Sequence, residues 1–226
     1  MLAALAFCPA PPLLVPELAA GAAGELDRLR AACRKAVRRL LGTGPDRVVV
    51  LGPGPATAAY RPGSTGTLAG YGVPVVAALG EPTGPPVLPP ALTLGAWLLD
   101  GAGPTEALAV GPDADPADVA AGLAGADRLA LLVMGDGSAR RSERAPGHVD
   151  PRAAGFDAAV AAALAAGDAA ALRALDPVLG AELLAAGVPA WRVTGHAAAG
   201  LDVAAELLHD TAPYGVGYLV AVWTVR

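Results

Sequence analysis

The chain has 226 residues and a formal net charge of −5 at pH 7. This length is enough for one large α/β domain with a sizeable core, or for two small domains. An acidic chain with no basic face does not attract nucleic-acid phosphates or anionic lipid, so neither nucleic acid nor a membrane is an expected partner. No run of 18 strongly apolar residues is free of proline, glycine and charge, so no transmembrane helix is predicted.

Short apolar runs alternate with helical patterns along the chain, which is typical of a mainly parallel sheet with crossover helices. Residues 2–7 predict the first strand, and the amphipathic pattern of residues 25–41 predicts the helix that follows. Residues 46–52 are continuously apolar and β-branched, which favours a second strand covered on both faces. The segment 52–72 is rich in glycine and proline and is predicted to be a loop.

The same alternation continues to the end of the sequence. Further strands are predicted over residues 73–79, 106–110, 128–134 and 214–225. Further helices are predicted over residues 89–103, 115–125, 150–168, 168–175 and 176–187. Several of these helices begin with an Asp-Pro pair, a good helix start. We therefore predict one α/β domain over residues 1–226, with a mostly parallel central sheet, helices on both faces, and the last strand inside the sheet.

The first residues of the sequence and the two cysteines indicate the cellular compartment of the protein. The first residues lack the positively charged leader of a signal peptide. Cys8 and Cys33 form neither a CxxC motif nor a zinc spacing, and two reduced thiols suit a cytosolic chain. We expect a cytoplasmic protein in which Cys8 is a buried structural thiol.

Common cofactor and nucleophile motifs are absent from the sequence. The loop 52–57 follows a strand, but it has Thr57 where a dinucleotide fingerprint needs its third glycine, and its prolines remove backbone donors. Ser138 lacks the frame of a nucleophile elbow, since Arg140 replaces the last glycine. The histidines are His148, His196 and His209. No two of them are three or four residues apart, so the sequence contains no helical two-histidine metal motif.

A charged loop, residues 135–150, follows the predicted strand 128–134 and is the strongest candidate site. In parallel α/β sheets, ligands bind where the strands end at their carboxyl edge. Asp136 and Ser138 lie at such a strand end. The alternative interpretation is an ion-paired surface loop that caps a helix.

Three segments together resemble the class III extradiol ring-cleavage dioxygenase superfamily, and most closely a divergent, subunit-B-like bacterial branch of unsettled activity. They are FCPAPPLLVPE at 7–17, VMGDGSARR at 133–141 and APYGVGYLVAVW at 212–223. The resemblance spans essentially the whole chain. In working members of the family, two histidines and a glutamate hold a non-haem ferrous ion, and a further histidine acts as acid and base toward a catechol and bound oxygen.

The resemblance places these functional positions on residues of a different chemistry. Ala10 stands where the first histidine ligand belongs, Gly54 lies in the segment of the second, and Ala139 stands where the acid/base histidine belongs. Glu182 is the remaining counterpart of the carboxylate ligand. Alanine and glycine neither coordinate a metal nor carry a proton, so we predict no resident metal and no cofactor, although the family implies ferrous iron.

From the resemblance we expect a pocket at the strand ends that binds a small polar or aromatic molecule, with catalysis either metal-free or lost. Asp136 and Ser138 are the predicted catalytic residues. The predicted ligand-binding residues are Glu17, Arg140, Arg141, His148, Glu182 and Tyr214. If the charged loop is a retained site, Asp136 and Ser138 should face one pocket shared with the segments 8–17 and 52–64, and an arginine of the loop should point into it.

Two alternatives stay open, and whether the protein is an enzyme is left undecided. The first is a non-catalytic binding protein or a regulatory partner of another protein, which allows a homo-oligomer or a protein complex. The second is an active non-haem iron dioxygenase that has recruited its ligands elsewhere, among them His148, His196 or His209.

Overall fold

Strands and helices alternate along most of the chain, in a computed structural model that describes residues 1–102, 105–125 and 127–226. The strands, numbered in chain order, are β1 (Leu2–Cys8), β2 (Arg47–Pro53), β3 (Ala58–Tyr60), β4 (Thr65–Thr67), β5 (Val76–Ala78), β6 (Thr105–Val110), β7 (Leu129–Met134), β8 (Val203–Thr211) and β9 (Tyr218–Val225). The helices are α1 (Pro16–Ala19), α2 (Asp27–Leu41), α3 (Pro90–Leu99), α4 (Pro116–Leu123), α5 (Arg152–Ala166), α6 (Ala169–Arg173), α7 (Pro177–Glu182) and α8 (Val188–Ala197). Across the described part of the chain, no helix has both the length and the apolar character needed to cross a membrane.

In the described part of the chain, the main sheet has seven strands in the order β3-β6-β2-β7-β1-β9-β8. Its centre is parallel, because β2 pairs in parallel with both β6 and β7, and β1 pairs in parallel with β7. The strands toward the two edges, β3 on one side and β9 and β8 on the other, pair antiparallel. The predicted α/β fold with a mostly parallel central sheet is confirmed, and β9 lies inside the sheet as expected.

Two apolar layers cover the faces of the sheet. Successive side chains of a strand point to opposite faces, and along β1 Ala4 and Ala6 join one layer while Leu5 and Phe7 join the other. The layer that contains Ala4 is completed by α2 and α3, and the layer that contains Leu5 by α4, α5 and α8. In this second layer the rings of Phe7 and Trp223 meet edge to face, with 5.0 Å between their centroids. Helices therefore cover both faces, as predicted.

Several local predictions differ from the structure. The segment 73–79 is a strand only over β5, which pairs with β4 in a separate two-stranded sheet and not with the main sheet. The predicted loop 52–72 contains the short strands β3 and β4. The helix predicted over 89–103 ends at Leu99, before the left-handed Asp100, and its last predicted residue lies outside the described ranges.

The prediction also missed two elements near the carboxyl terminus, α8 and β8. The strand β8 is an edge strand in which partly buried and exposed residues alternate only over its first half, residues 203–207. A register shift between Leu207 and His209 then makes residues 207–209 partly buried in succession, so the sequence lacks the continuous alternation that signals a half-buried strand. The predicted helix 176–187 is in fact α7 followed by a turn into α8.

Candidate functional site

The carboxyl ends of the parallel strands lie along one edge of the main sheet. The segment after β1 begins at Pro9, the segment after β2 contains Gly54 and Pro55, and the charged loop follows β7. Main-chain hydrogen bonds connect these ends, since Gly135 donates to the carbonyl of Cys8 at 3.0 Å and Gly54 donates to that of Val110 at 3.1 Å. This edge is where ligands bind in parallel α/β sheets.

A cleft of about 490 Å³ opens at the ends of β2 and β6, and we call it the apolar cleft. It is bounded by the segments that follow these two strands and by α7 and α8. Its lining is rich in proline, glycine, alanine and aliphatic side chains, among them Pro53, Val110, Pro177 and Val188. The charged side chain in its wall is Arg192 of α8.

The guanidinium of Arg192 has a hydrogen-bond donor with no partner. Its Nε atom is buried, and among the residues that the structure describes it bonds to no acceptor. A buried donor without a partner costs free energy, more so when the group is charged. An arginine with free donors at the wall of a cleft is suited to a carboxylate or another anionic group, which the guanidinium can bind through two parallel hydrogen bonds.

A second cleft, of about 810 Å³, lies along the charged loop, and we call it the charged cleft. Arg140, Glu143 and His148 are part of its lining. Arg140 donates to the backbone carbonyl of His148 at 3.3 Å, and its own Nε is a second buried donor without an acceptor in the described part of the chain. Leu184 lines both clefts and lies where they meet.

Asp136 lies at the end of β7 with its carboxylate turned toward the end of β1. Oδ1 accepts the backbone N–H of Ala10 at 2.7 Å. Burial raises the pKa of Asp136 to about 7, and the hydrogen bond from Ala10 opposes this shift. Tyr218 lies nearby, and burial together with the charge of Asp136 raises the pKa of its hydroxyl well above the usual range. A carboxyl group that titrates near neutral pH has the properties of a general acid or base.

Ser138 turns toward α5 and is fully buried. Its backbone N–H and its hydroxyl both donate to the carboxylate of Asp157, at 2.7 and 2.8 Å. Burial raises the pKa of Asp157, against the effect of the bonds from Ser138 and of the guanidinium of Arg141, which lies 3.6 Å away. The arrangement joins the end of β7 to α5. The catalytic role of Ser138 stays a prediction. In this geometry its hydroxyl is hydrogen-bonded to Asp157, and the residue is inaccessible to solvent.

The other predicted binding residues are dispersed around the edge of the sheet. Glu17 is exposed on α1. The carboxylate of Glu182 accepts from Arg152 at 2.8 Å, and the hydroxyl of Tyr214 donates to Glu25 at 2.9 Å. Of the predicted set, the structure brings Arg140 and His148 together in the charged cleft.

The two clefts do not form the single pocket expected at the strand ends, and that pocket stays a prediction. Neither the apolar cleft nor the charged cleft is lined by Asp136, by Ser138 or by the segment 8–17. The segment after β2 lines the apolar cleft, and the charged loop lines the other. The reason is that the carboxylate of Asp136 and the hydroxyl of Ser138 are both directed at neighbouring protein groups, Ala10 and Asp157.

The positions implied for the iron of the dioxygenases do not fit a ferrous ion. A Cβ atom placed on Gly54 would lie 2.6 Å from the Cβ of Ala109, so the site has no room for an imidazole there. Ala10 offers a methyl group, and Glu182 is ion-paired to Arg152. Within residues 1–102, 105–125 and 127–226, no three His, Cys, Asp or Glu side chains form a group that could hold a metal.

Sequence reasoning did not single out Arg192, Leu184 or Asp157. A signal existed for two of them, since Arg192 is a lone charge between apolar residues and Asp157 interrupts an alanine-rich helix. An isolated charge in an apolar pattern is unusual in a core. Leu184 carries no comparable signal, because its importance comes from its backbone conformation.

Comparison with known proteins supports the fold and does not assign a family. Neither family models nor curated proteins give a match to the chain. Among solved structures, the chain is similar to the uncharacterized protein JW3007 from Escherichia coli K12, with a TM-score of 0.50 and 13% sequence identity. The superposition covers 98% of this chain and 99% of that protein. At this identity the likeness shows a shared fold.

Proposed function

We propose that the protein binds a small, mainly apolar or aromatic molecule that carries an acidic group, and that it does so in the apolar cleft without a metal ion. The observation that carries this proposal is Arg192, which lines a cleft with otherwise uncharged walls and whose buried Nε has no hydrogen-bond partner among the described residues. An acidic group on the ligand would supply the acceptor that Arg192 lacks. The apolar body of the ligand would cover the proline and aliphatic walls.

The size and position of the cleft support this proposal. Ligand sites are mostly apolar clefts of roughly 300 to 1,000 Å³ with a few polar groups that fix orientation. The apolar cleft, at about 490 Å³, lies within that range. It also lies at the carboxyl edge of parallel strands, where α/β proteins bind their ligands.

Binding is favoured over iron-dependent ring cleavage for a chemical reason. The resemblance to the extradiol dioxygenases concerns the architecture, whereas the implied ligand positions Ala10, Gly54 and Ala139 provide no donor side chain. Asp136 is the group best suited to proton transfer at neutral pH, but it does not line the apolar cleft. We further propose that the ligand is met in the cytoplasm, since Cys8 and Cys33 are free thiols.

A pair of fluorescent probes tests the proposal. Anilinonaphthalene sulfonate has an aromatic body and an anionic group, and phenylnaphthylamine has the same body without the charge. We expect the native protein to bind both probes saturably, with one molecule per chain. Arg192→Gln should weaken binding of the sulfonate at least about tenfold, the effect of losing a charged hydrogen bond, and leave binding of the neutral probe unchanged.

Two further variants make the test specific. Arg173→Gln removes an exposed arginine from the neighbouring helix α6 and should affect neither probe. Ala181→Trp places a large ring on an exposed position of the cleft lining and should prevent binding of both probes. Equal affinity of native protein and Arg192→Gln for the sulfonate, or undiminished binding by Ala181→Trp, would refute the proposed site.

A further inference from the structure

The helix α7 ends in a Schellman motif with a leucine at the position that glycine normally occupies. The N–H of Leu184 donates to the carbonyl of Ala181 at 3.1 Å, and the N–H of Ala185 donates to that of Gly180 at 2.8 Å. These two bonds define the motif, and they require a left-handed backbone at the residue between Leu183 and Ala185. Leu184 has a φ of +55°.

A leucine in this conformation is unfavourable. The left-handed region brings Cβ close to the following carbonyl oxygen, and glycine alone avoids this contact. Among the described residues, the other non-glycine residues with a positive φ are Ala20 and Asp100. Alanine is small, and aspartate tolerates the conformation through local hydrogen bonds. Leu184 is thus the bulky member of this set.

Burial of the Leu184 side chain in the core does not offset the cost of its left-handed backbone. It is 44% exposed, and it lies at the junction of the apolar cleft and the charged cleft. Its neighbour across the junction is Gly147 of the charged loop, where a Cβ atom would come within 3.0 Å of Leu184 Cδ1. Strained backbone is most often retained where a side chain has a function.

We infer that Leu184 is a ligand-contacting residue, which forms the wall between the two clefts and sets the shape of the apolar body that the protein accepts. This inference rests on the proposed function of the apolar cleft. The apolar face of the ligand covers Leu184 and removes its exposed surface from water, while the acidic group meets Arg192. The competing explanation is structural, in which Leu184 holds the charged loop by its contact with Gly147.

The variant Leu184→Gly separates the two explanations, because they predict opposite changes in stability. For a ligand-contacting residue, glycine relieves the left-handed backbone and should raise the Tm by about 2 °C. The same variant should weaken binding of phenylnaphthylamine about tenfold, since the apolar contact is lost. For a residue that holds the loop, glycine should lower the Tm together with the affinity.

Two more variants complete the experiment. Leu184→Asn keeps a side chain of similar size that tolerates the left-handed region but is polar, and it should also weaken binding of phenylnaphthylamine. Val178→Ala, on the same helix, changes a more exposed apolar residue that lines neither cleft and should alter neither affinity nor Tm.

The outcomes distinguish this inference from the proposed function. Absence of phenylnaphthylamine binding by the native protein would refute the proposed function and this inference with it. Native binding that Leu184→Gly leaves unchanged, or a lowered Tm in that variant, would overturn the role of Leu184 alone. A higher Tm with weaker binding supports it.

Discussion

The carboxylate of Asp157 holds Ser138 at two points, accepting its backbone N–H at 2.7 Å and its hydroxyl at 2.8 Å. Ser138 is 0% and Asp157 is 1% exposed. Glycines surround the carboxylate, since a Cβ atom on Gly137 or Gly217 would lie 2.7 or 2.5 Å from its oxygens. The pair therefore fixes the start of the charged loop relative to α5, and its removal has consequences for stability.

We expect Ser138→Ala to lower the free energy of unfolding by about 1 to 3 kcal/mol, because one oxygen of a buried carboxylate loses its hydroxyl donor. Urea unfolding of the native and variant proteins measures this difference. Ser142→Ala is the matched control, since the Ser142 hydroxyl accepts a single long bond, at 3.3 Å, from Arg144. The control should change stability by less than about 0.5 kcal/mol. Equal effects of the two substitutions would contradict the prediction.

The titration of Asp136 predicts a dependence of stability on pH. Burial raises its pKa from 3.8 to about 7, so between these values the native protein keeps a proton that the unfolded chain has released. The free energy of unfolding contributed by Asp136 is therefore full below about pH 4 and is lost as the pH rises through about 7. Asp136→Asn removes this dependence, since an amide does not titrate.

The measurement is urea unfolding of native protein and Asp136→Asn at several pH values. As the pH rises from 4 to 8, the free energy of unfolding of the variant should increase relative to that of the native protein by on the order of 2 to 4 kcal/mol. Asp157 also has a pKa raised by burial, but it is present in both proteins and cancels in the difference. Parallel pH profiles for the two proteins would show that Asp136 titrates normally.

Gly54 is required by close packing against β6. We expect Gly54→Ala to lower the free energy of unfolding by about 1 to 3 kcal/mol, because its Cβ would lie 2.6 Å from that of Ala109. Gly122 is the control, an exposed residue of α4 whose Cβ would have no atom of the described residues within 4 Å. Gly122→Ala should instead stabilise by about 0.5 to 1 kcal/mol through its helix propensity. Thermal unfolding of both variants checks the opposite signs.

The two thiols should be unreactive in the native protein. Cys8 and Cys33 are 1% and 0% exposed, and a hydrogen bond with Cys33 together with burial raises the pKa of the Cys8 thiol well above its usual value. The thiolate is the reactive form, so both burial and pKa oppose reaction. We expect a chromogenic disulfide reagent to titrate both thiols in urea and neither within minutes under native conditions. Rapid native reaction of a thiol would contradict this arrangement.

The absence of donor side chains at the implied iron positions Ala10 and Gly54 leads to a direct chemical test. After anaerobic loading with ferrous iron and gel filtration, we expect elemental analysis to find no stoichiometric iron, because Ala10 and Gly54 lack donor atoms. Retention of one ion per chain, lost on Glu182→Ala, would refute this expectation. It would point to recruited ligands and to the iron-dependent alternative.

The regular parts of the fold could be predicted because burial and periodicity coincide there. The strands β1, β2 and β7 are covered on both faces, so their sequences are continuously apolar, and α2 has one apolar face over β1. The edge strand β8 could not be found this way, since water reaches it and its sequence is mixed. The small strands β4 and β5 owe their pairing to contacts within the Gly/Pro-rich segment, which leave no period in the sequence.

The sequence indicated the sheet edge at which the two clefts lie, but it did not predict which side chains line them. The rule that ligands bind at the carboxyl edge of parallel strands led to the region of the two clefts. The direction of individual side chains depends on tertiary neighbours, as Asp136 with Ala10 and Ser138 with Asp157 illustrate. The sequence did not identify Arg192 as a site residue because Arg192 lies on α8, and the hydrophobic periodicity did not predict that helix.

The central place of β1 in the sheet has a consequence for how the chain folds during synthesis. β1 is synthesised before both of its neighbours, β7 and β9, so it has no pairing partner until residues 129–134 have been made and gains the second only with residues 218–225. Such long sequence separations slow folding, and the backbone hydrogen-bonding groups along both edges of β1 stay unpaired meanwhile. A ribosome-bound chain that stops before β9 would leave one of these edges unpaired, and an unpaired strand edge can pair with another chain.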